Sequence, residues 1–119
     1  LYVDGALAAG PLASGGTVSA GNYSCALGKS ADTECLEGLI DEFFFYNRRL
    51  TDAEIRYMMT DYHRLPTEGL ICWHRLEEGA GLTVEDKSGE GNSGSLLPAA
   101  DPPVWTRIRK WELRSEAEV

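Results

Sequence analysis

At 119 residues the chain has the length of one domain with room for a core, and 43% hydrophobic against 25% charged residues is the balance of a soluble globular protein. A formal net charge of −8 argues against a phosphate backbone as partner, so nucleic acid is not an expected ligand. Three cysteines are too few for a disulfide scaffold, and no apolar run is long enough to span a membrane.

Leu1-Tyr-Val-Asp-Gly opens inside a strand-and-turn pattern, without Met and without a visible signal peptide, as expected of a piece of a longer protein. Leu1–Asp4, Gly5 and Ala6–Ala8 predict a hairpin around Asp-Gly. The small, turn-rich segment from Gly10 to Gly21 reads as a loop with a short strand near Thr17–Ser19. Asn22-Tyr23-Ser24 is a glycosylation sequon at Asn22 that matters only in a secreted protein. Tyr23–Gly28 predicts a strand and Lys29–Glu34 a polar loop. Cys25 and Cys35 then fall at facing ends of two candidate strands. A disulfide across that hairpin is one reading, and three reduced, partly buried thiols is the other.

The stretch Leu36–Ile55 organises the rest. Alternation predicts a strand in which Leu39, Asp41, Phe43 and Phe45 share one face and Ile40, Glu42, Phe44 and Tyr46 the other. Both faces turn aromatic near the end, as expected of an interior strand covered on both sides. Asp41, sharing a face with two phenylalanines, must be hydrogen-bonded, paired or metal-bound. After a polar break at Asn47–Arg49, Thr51 and Glu54 have the spacing of a capping box, and Leu50 and Ile55 that of a hydrophobic staple. Ile55, Met58, Met59 and Tyr62 follow at helical spacing, which predicts a helix over about 51–63, closed off by Pro66.

Beyond the Pro66–Gly69 break, Leu70–Glu77 predicts a strand with Ile71, Trp73 and Leu76 as its bulk. Glu78–Gly81 is a turn, Thr83–Glu85 a short strand and Asp86–Gly94 a glycine-rich loop. Ser95–Pro98 and Val104–Arg109 read as short strands, and Lys110–Val119 as a charged tail.

Two stretches carry a resemblance. Gly38–Ile55, read as G-L-I-D-E-F-F-F-Y-N-R-R-L-T-D-A-E-I, resembles the signature near the end of laminin-G-like, concanavalin-A-like jelly-roll domains. Residues 69–94, with E-G-A-G and D-K-S-G-E-G-N-S-G, resemble the beginning of the same domain. Relatives carry L-Y-V-D-G at the place of residues 1–5, and a strand at that of Tyr23–Gly28. The resemblance implies an all-β, antiparallel, two-sheet jelly-roll sandwich with one short helix near 51–63. The order is inverted, however, since the ending precedes the beginning. Residues 1–66 are then the C-terminal part of one repeat and 67–109 the N-terminal part of another, or the two form a single permuted sandwich.

The residues offer little catalytic chemistry. His63 suits the helix C-terminus, where a cation is favoured by the dipole. Cys72 and His74 sit two apart on one strand face, a spacing a metal could use but without a second pair. Asp41-Glu42 and Glu77-Glu78 do not supply the alternating E-x-D-x-x-E acids of glycosidases in the same broad jelly roll. Calcium is the expected cofactor, if any. The Asp86–Asn92 loop offers a carboxylate, an amide and glycine carbonyls, and the resemblance implies an aspartate nearby at Asp41, so Asp41, Asp86 and Asn92 are the candidate ligands. The plain alternative is that Asp86 and Asn92 cap turns.

In relatives the position of Phe44 is commonly polar, often arginine. Phe44 here, with Ile40 and Tyr46, predicts a contact surface covered either by the helix or by a partner. The expected function is a non-catalytic β-sandwich module, not an enzyme, for protein–protein interaction, adhesion or structural assembly within a larger protein. The alternative is a carbohydrate-binding, lectin-like module, with or without a dependence on calcium. The expected partners are other protein subunits or domains, or glycans. The expected setting is extracellular, cell-surface or lumenal, with an intracellular or organellar assembly as the alternative.

Overall fold

The computed structural model describes residues 1–10, 25–29, 35–61 and 64–107. The expected strand near Thr17–Ser19, the sequon at Asn22, most of the Lys29–Glu34 loop, Tyr62 and His63 at the helix end and the tail from Lys110 lie outside the described residues. The rest consists of strands in small, two-stranded sheets and one short helix, compatible with an all-β class. The chain divides into two units: Leu1–Ile40 with Tyr46–Gly69, and Asp41–Phe45 with the residues from Leu70 onward.

In the first unit, β1 (Tyr2–Val3) and β2 (Ala6–Leu7) form an antiparallel hairpin that pairs Tyr2 with Leu7 and Val3 with Ala6. The two-residue loop, Asp4 and Gly5, has φ of 51° and 74°, and two positive values are what a type I′ turn demands. Helix α1 (Asp52–Thr60) starts at an N-cap, Thr51, and closes on Asp61, whose N–H donates to the Tyr57 carbonyl. It is shorter than the periodicity predicted. Of its expected apolar face, Ile55 and Met58 are half-buried, whereas Met59 is exposed, with its stem against Gly5. Gly69 ends the unit with φ of 75°. A Cβ there would lie 2.7 Å from Asn47 Oδ1, so this position requires glycine.

In the second unit, β4 (Leu70–His74) is the central element, and its hydrogen-bonded neighbour is β3 (Phe43–Tyr46), of which Phe43–Phe45 belong to this unit. Along β4, Leu70, Cys72 and His74 are buried, while Ile71 and Trp73 are half-buried. β5 (Thr83–Val84) pairs antiparallel with β6 (Gly94–Ser95). The buried apolar residues among those described are Leu70, Cys72 and Val84, all in this unit.

Several expectations need correction. The strand predicted from Leu39 begins only at Phe43, because Glu42 has φ of 50° and extended pairing cannot run through it. Phe45, expected to be covered, is 49% exposed, since β3 has only β4 beside it among the described residues. Asp41 is exposed rather than enclosed by phenylalanines, and its Oδ1 accepts from the Glu42 N–H at 3.1 Å. β4 stops at His74, just before a left-handed Leu76 with φ of 58°. The late strand expected at Ser95–Pro98 is the pair Gly94–Ser95, and residues 104–107 form none.

Candidate functional site

Each of the two motif stretches builds a hydrogen-bonded hub. In the first unit the hub is Arg48. Its Nη2 and Nη1 donate to the two Glu54 carboxylate oxygens at 2.7 and 3.0 Å, a bidentate pair. Its Nε donates to the Glu68 carbonyl at 2.8 Å, and its guanidinium lies 5.8 Å from the centre of the Tyr46 ring. Glu54 is also the N3 residue of the cap. Its Oε2 accepts from the Thr51 N–H at 2.8 Å, while its own N–H donates to Thr51 Oγ1 at 3.2 Å. The hydrogen bond from Arg48, with that from the Thr51 backbone, pulls the Glu54 carboxyl down to about 2. The Tyr46 hydroxyl donates to the Pro66 carbonyl at 2.8 Å, and burial raises its pKa. The Tyr2 hydroxyl donates to Asp52 in the first turn of α1. Between hairpin and helix lies an open groove of about 610 Å³, lined in part by Leu7, Arg49, Leu50 and Ile55.

In the second unit the hub is Asp86. Oδ1 accepts from the N–H groups of Trp73 and Ser88, both at 2.9 Å. Oδ2 accepts from the Ser88 hydroxyl and the Asn92 N–H, both at 2.8 Å. Burial opposes ionisation of this carboxyl, yet the backbone N–H groups of Trp73, Ser88 and Asn92 together hold it well below its ordinary range. The Asn92 side-chain amide donates onward to the Ile71 carbonyl at 2.7 Å. Both Asp86 oxygens are thus taken by N–H and O–H donors, and a calcium ion would have to displace one of them. Among the described residues no three His, Cys, Asp or Glu side chains converge as metal ligands would.

The remaining candidates are dispersed. Phe44 is half-buried and stacks on Trp73 at 5.7 Å between centroids. Trp73 Nε1 donates to Glu42 Oε2 at 2.8 Å, and Arg75 lies 5.6 Å from the Trp73 ring centre. Arg75 Nε is 3.7 Å from Glu42 Oε1, an ion pair too long to be a hydrogen bond. Ile40 is exposed, and the Tyr46 hydroxyl is engaged by the Pro66 carbonyl. Cys25 and Cys35 are exposed and unbridged. Cys35 pairs with Lys29 in an isolated antiparallel bridge, and that register sets it opposite Lys29 rather than Cys25. Cys72 and His74 do share a face, with Sγ 3.1 Å from Nε2.

Arg48 escaped the reading of the sequence, which treated Asn47–Arg49 as a polar break. The usable signal was its position six residues before a capping-box glutamate, within reach of a long side chain folded back over the cap.

The first hub stands on the matched part of the chain. Residues 1–56 match the laminin-G-type family model described as the concanavalin A-like lectin/glucanases superfamily. Over this stretch, just under half of its length, the chain is similar to a concanavalin A-like domain. Comparison with curated proteins and with solved structures gives no match. The family match supports a β-sandwich module in general terms, and it ends before residues 69–94, whose likeness to the start of such a domain stands on their own residues. No helix among the described residues is long and apolar enough to cross a membrane.

Proposed function

We propose that the chain supplies strands and apolar surface to a jelly-roll sandwich that works as a non-catalytic contact module in a larger assembly. The observation that carries this is the β1–β2 hairpin. It pairs with no further strand among the described residues, and Val3 and Leu7 are each 54% exposed. A two-stranded sheet with open edges and bare apolar side chains is marginal alone and ready to accept another strand. Both conspicuous carboxylates, Glu54 and Asp86, are occupied with holding backbone, which also favours a structural over a catalytic reading.

The test is association. The chain should self-associate, or bind an apolar dye, in a concentration-dependent way in sedimentation and fluorescence, and Val3→Lys with Leu7→Lys should reduce both. A monodisperse monomer that binds no dye, unchanged by the two lysines, would defeat the proposal.

Glycan binding is the second reading, favoured by one feature, the half-buried Phe44–Trp73 stack on β3 and β4. It requires glycan-array signal that Trp73→Ala abolishes.

A further inference from the structure

Alternation along β4 turns Cys72 and His74 to the same buried face, beside the second hub but not among the donors to Asp86. The Sγ–Nε2 distance is 3.1 Å, and the opposite ring nitrogen, Nδ1, lies 3.3 Å from the Glu85 carbonyl oxygen. A carbonyl only accepts, so Nδ1 carries the hydrogen of that contact. In the neutral ring Nε2 is then bare, and it is the atom facing the thiol. Nucleophile, base and an oriented base are the three parts that activate a cysteine. We propose that Cys72 and His74 form a thiol–imidazole pair whose sulfur exchanges with low-molecular-weight disulfides.

The surroundings support this assignment. The His74 ring stacks on Phe43 at 6.0 Å between centroids, and the His74 backbone pairs with Asp86 in an isolated antiparallel bridge, so the ring has a packing partner and the chain that carries it is held. The ionisable groups beside it on the 85–92 segment are Glu85 and Asp86. The Glu85 carboxylate accepts from Lys87 Nζ, and that of Asp86 is occupied by its N–H donors, so each has another partner than the imidazole. From β3 the neighbour is Phe43, which carries no charge. The Asn92 carbonyl, 3.7 Å from Sγ, is a further acceptor within reach of the thiol hydrogen. Cys72 is 9% exposed, so the reagent must be compact.

In the exchange, His74 Nε2 takes the proton from the Cys72 thiol. The thiolate attacks one sulfur of the incoming disulfide, forming a new S–S bond as the original one breaks. The departing thiolate takes the proton from His74 and leaves as a thiol. Cys72 is oxidised to a mixed disulfide, and the reagent supplies the oxidant.

Dithiodipyridine is the probe, with peptide mapping by mass spectrometry to read Cys72 separately from the exposed Cys25 and Cys35. An ordinary thiol with a pKa near ~8.5 slows by nearly a hundredfold between about pH 8 and pH 6. Cys72 is expected to slow by less than about tenfold over that interval, and His74→Gln to restore the steep profile. The profile of the unaltered protein decides the matter even where His74→Gln does not fold, with the guanidinium-unfolded chain as the ordinary-thiol reference. A steep Cys72 profile in the native protein, a profile unaltered in folded His74→Gln, or a Cys72 that the probe does not label would each overturn the proposal.

Discussion

In the first unit Arg48 is a donor that reaches out to acceptors, while in the second Asp86 is an acceptor ringed by donors. Arg48 depends on a second side chain, Glu54, and each is 26% exposed. Such a pair must order two long side chains in a solvent that screens their attraction. Three of the four donors to Asp86 are backbone N–H groups and the fourth, the Ser88 hydroxyl, belongs to a residue already bound to it through its backbone, so little side-chain freedom is lost. A carboxylate bound by backbone donors should therefore stabilise more, and lose less to salt, than a bidentate pair between half-buried side chains. The hubs also do different jobs. The first fixes where a helix begins, and the second ties a glycine-rich loop to β4.

Asp86→Ala carries the largest expected effect. It leaves the Trp73, Ser88 and Asn92 N–H groups without their acceptor, and bonds to a charged group are the strong ones, so the loss should be on the order of 3 kcal/mol in denaturant melts. Amide exchange should accelerate at those three positions ahead of α1. Equal protection in variant and parent would show that the loop is held by something else. The same melts in calcium and in chelator should coincide for the parent, because calcium must first displace a donor. A calcium-dependent rise in Tm that Asp86→Ala removes would show the loop opening to take up a cation.

Acid distinguishes the hubs next. Glu54 falls to about 2 in the folded chain from an ordinary 4.5, so the unfolded chain takes up its proton first. Its contribution is complete above pH 4.5 and is lost as pH falls toward 2. Asp86 is shifted in the same direction from an ordinary 3.8, and its contribution is likewise lost on acidification below that value. Melting α1 by circular dichroism through that range should show a decline that Glu54→Gln flattens, together with a lower Tm for this variant at neutral pH. A slope that Glu54→Gln leaves intact would assign the acid sensitivity to other carboxylates. High salt should diminish the Arg48 pair more than the Asp86 loop.

What could be read in the sequence follows the range of the interaction. Asp4-Gly5 and Thr51-x-x-Glu54 were legible because turn and cap are each decided within four residues. The alternation of Leu39–Tyr46 suggested a long strand, but alternation cannot register the left-handed φ at Glu42 that cuts it to four residues. Phe44 was marked as a residue that must be covered, and it is half-buried. That its cover is Trp73, 29 positions along the chain, is a matter of strand pairing that no local pattern contains. Asp86 was visible as a polar loop residue suited either to a cation or to a turn. Only the approach of Trp73 N–H shows which use its oxygens have.

Thr51→Ala is the smallest of the expected effects. It removes one acceptor, Oγ1, from the Glu54 N–H, while the Thr51 backbone N–H keeps its bond to Glu54 Oε2 and Arg48 keeps both of its own. The cost should be about 1 kcal/mol, the usual value for a lost N-cap, and Thr51→Ser should recover most of it. Because Glu54 serves the cap and Arg48 together, Thr51→Ala and Glu54→Gln should combine non-additively, with the second change costing less once the first is made. Strict additivity in that double-mutant cycle would mean that cap and ion pair stabilise α1 independently, and the first hub would then be two neighbouring contacts rather than one coupled network.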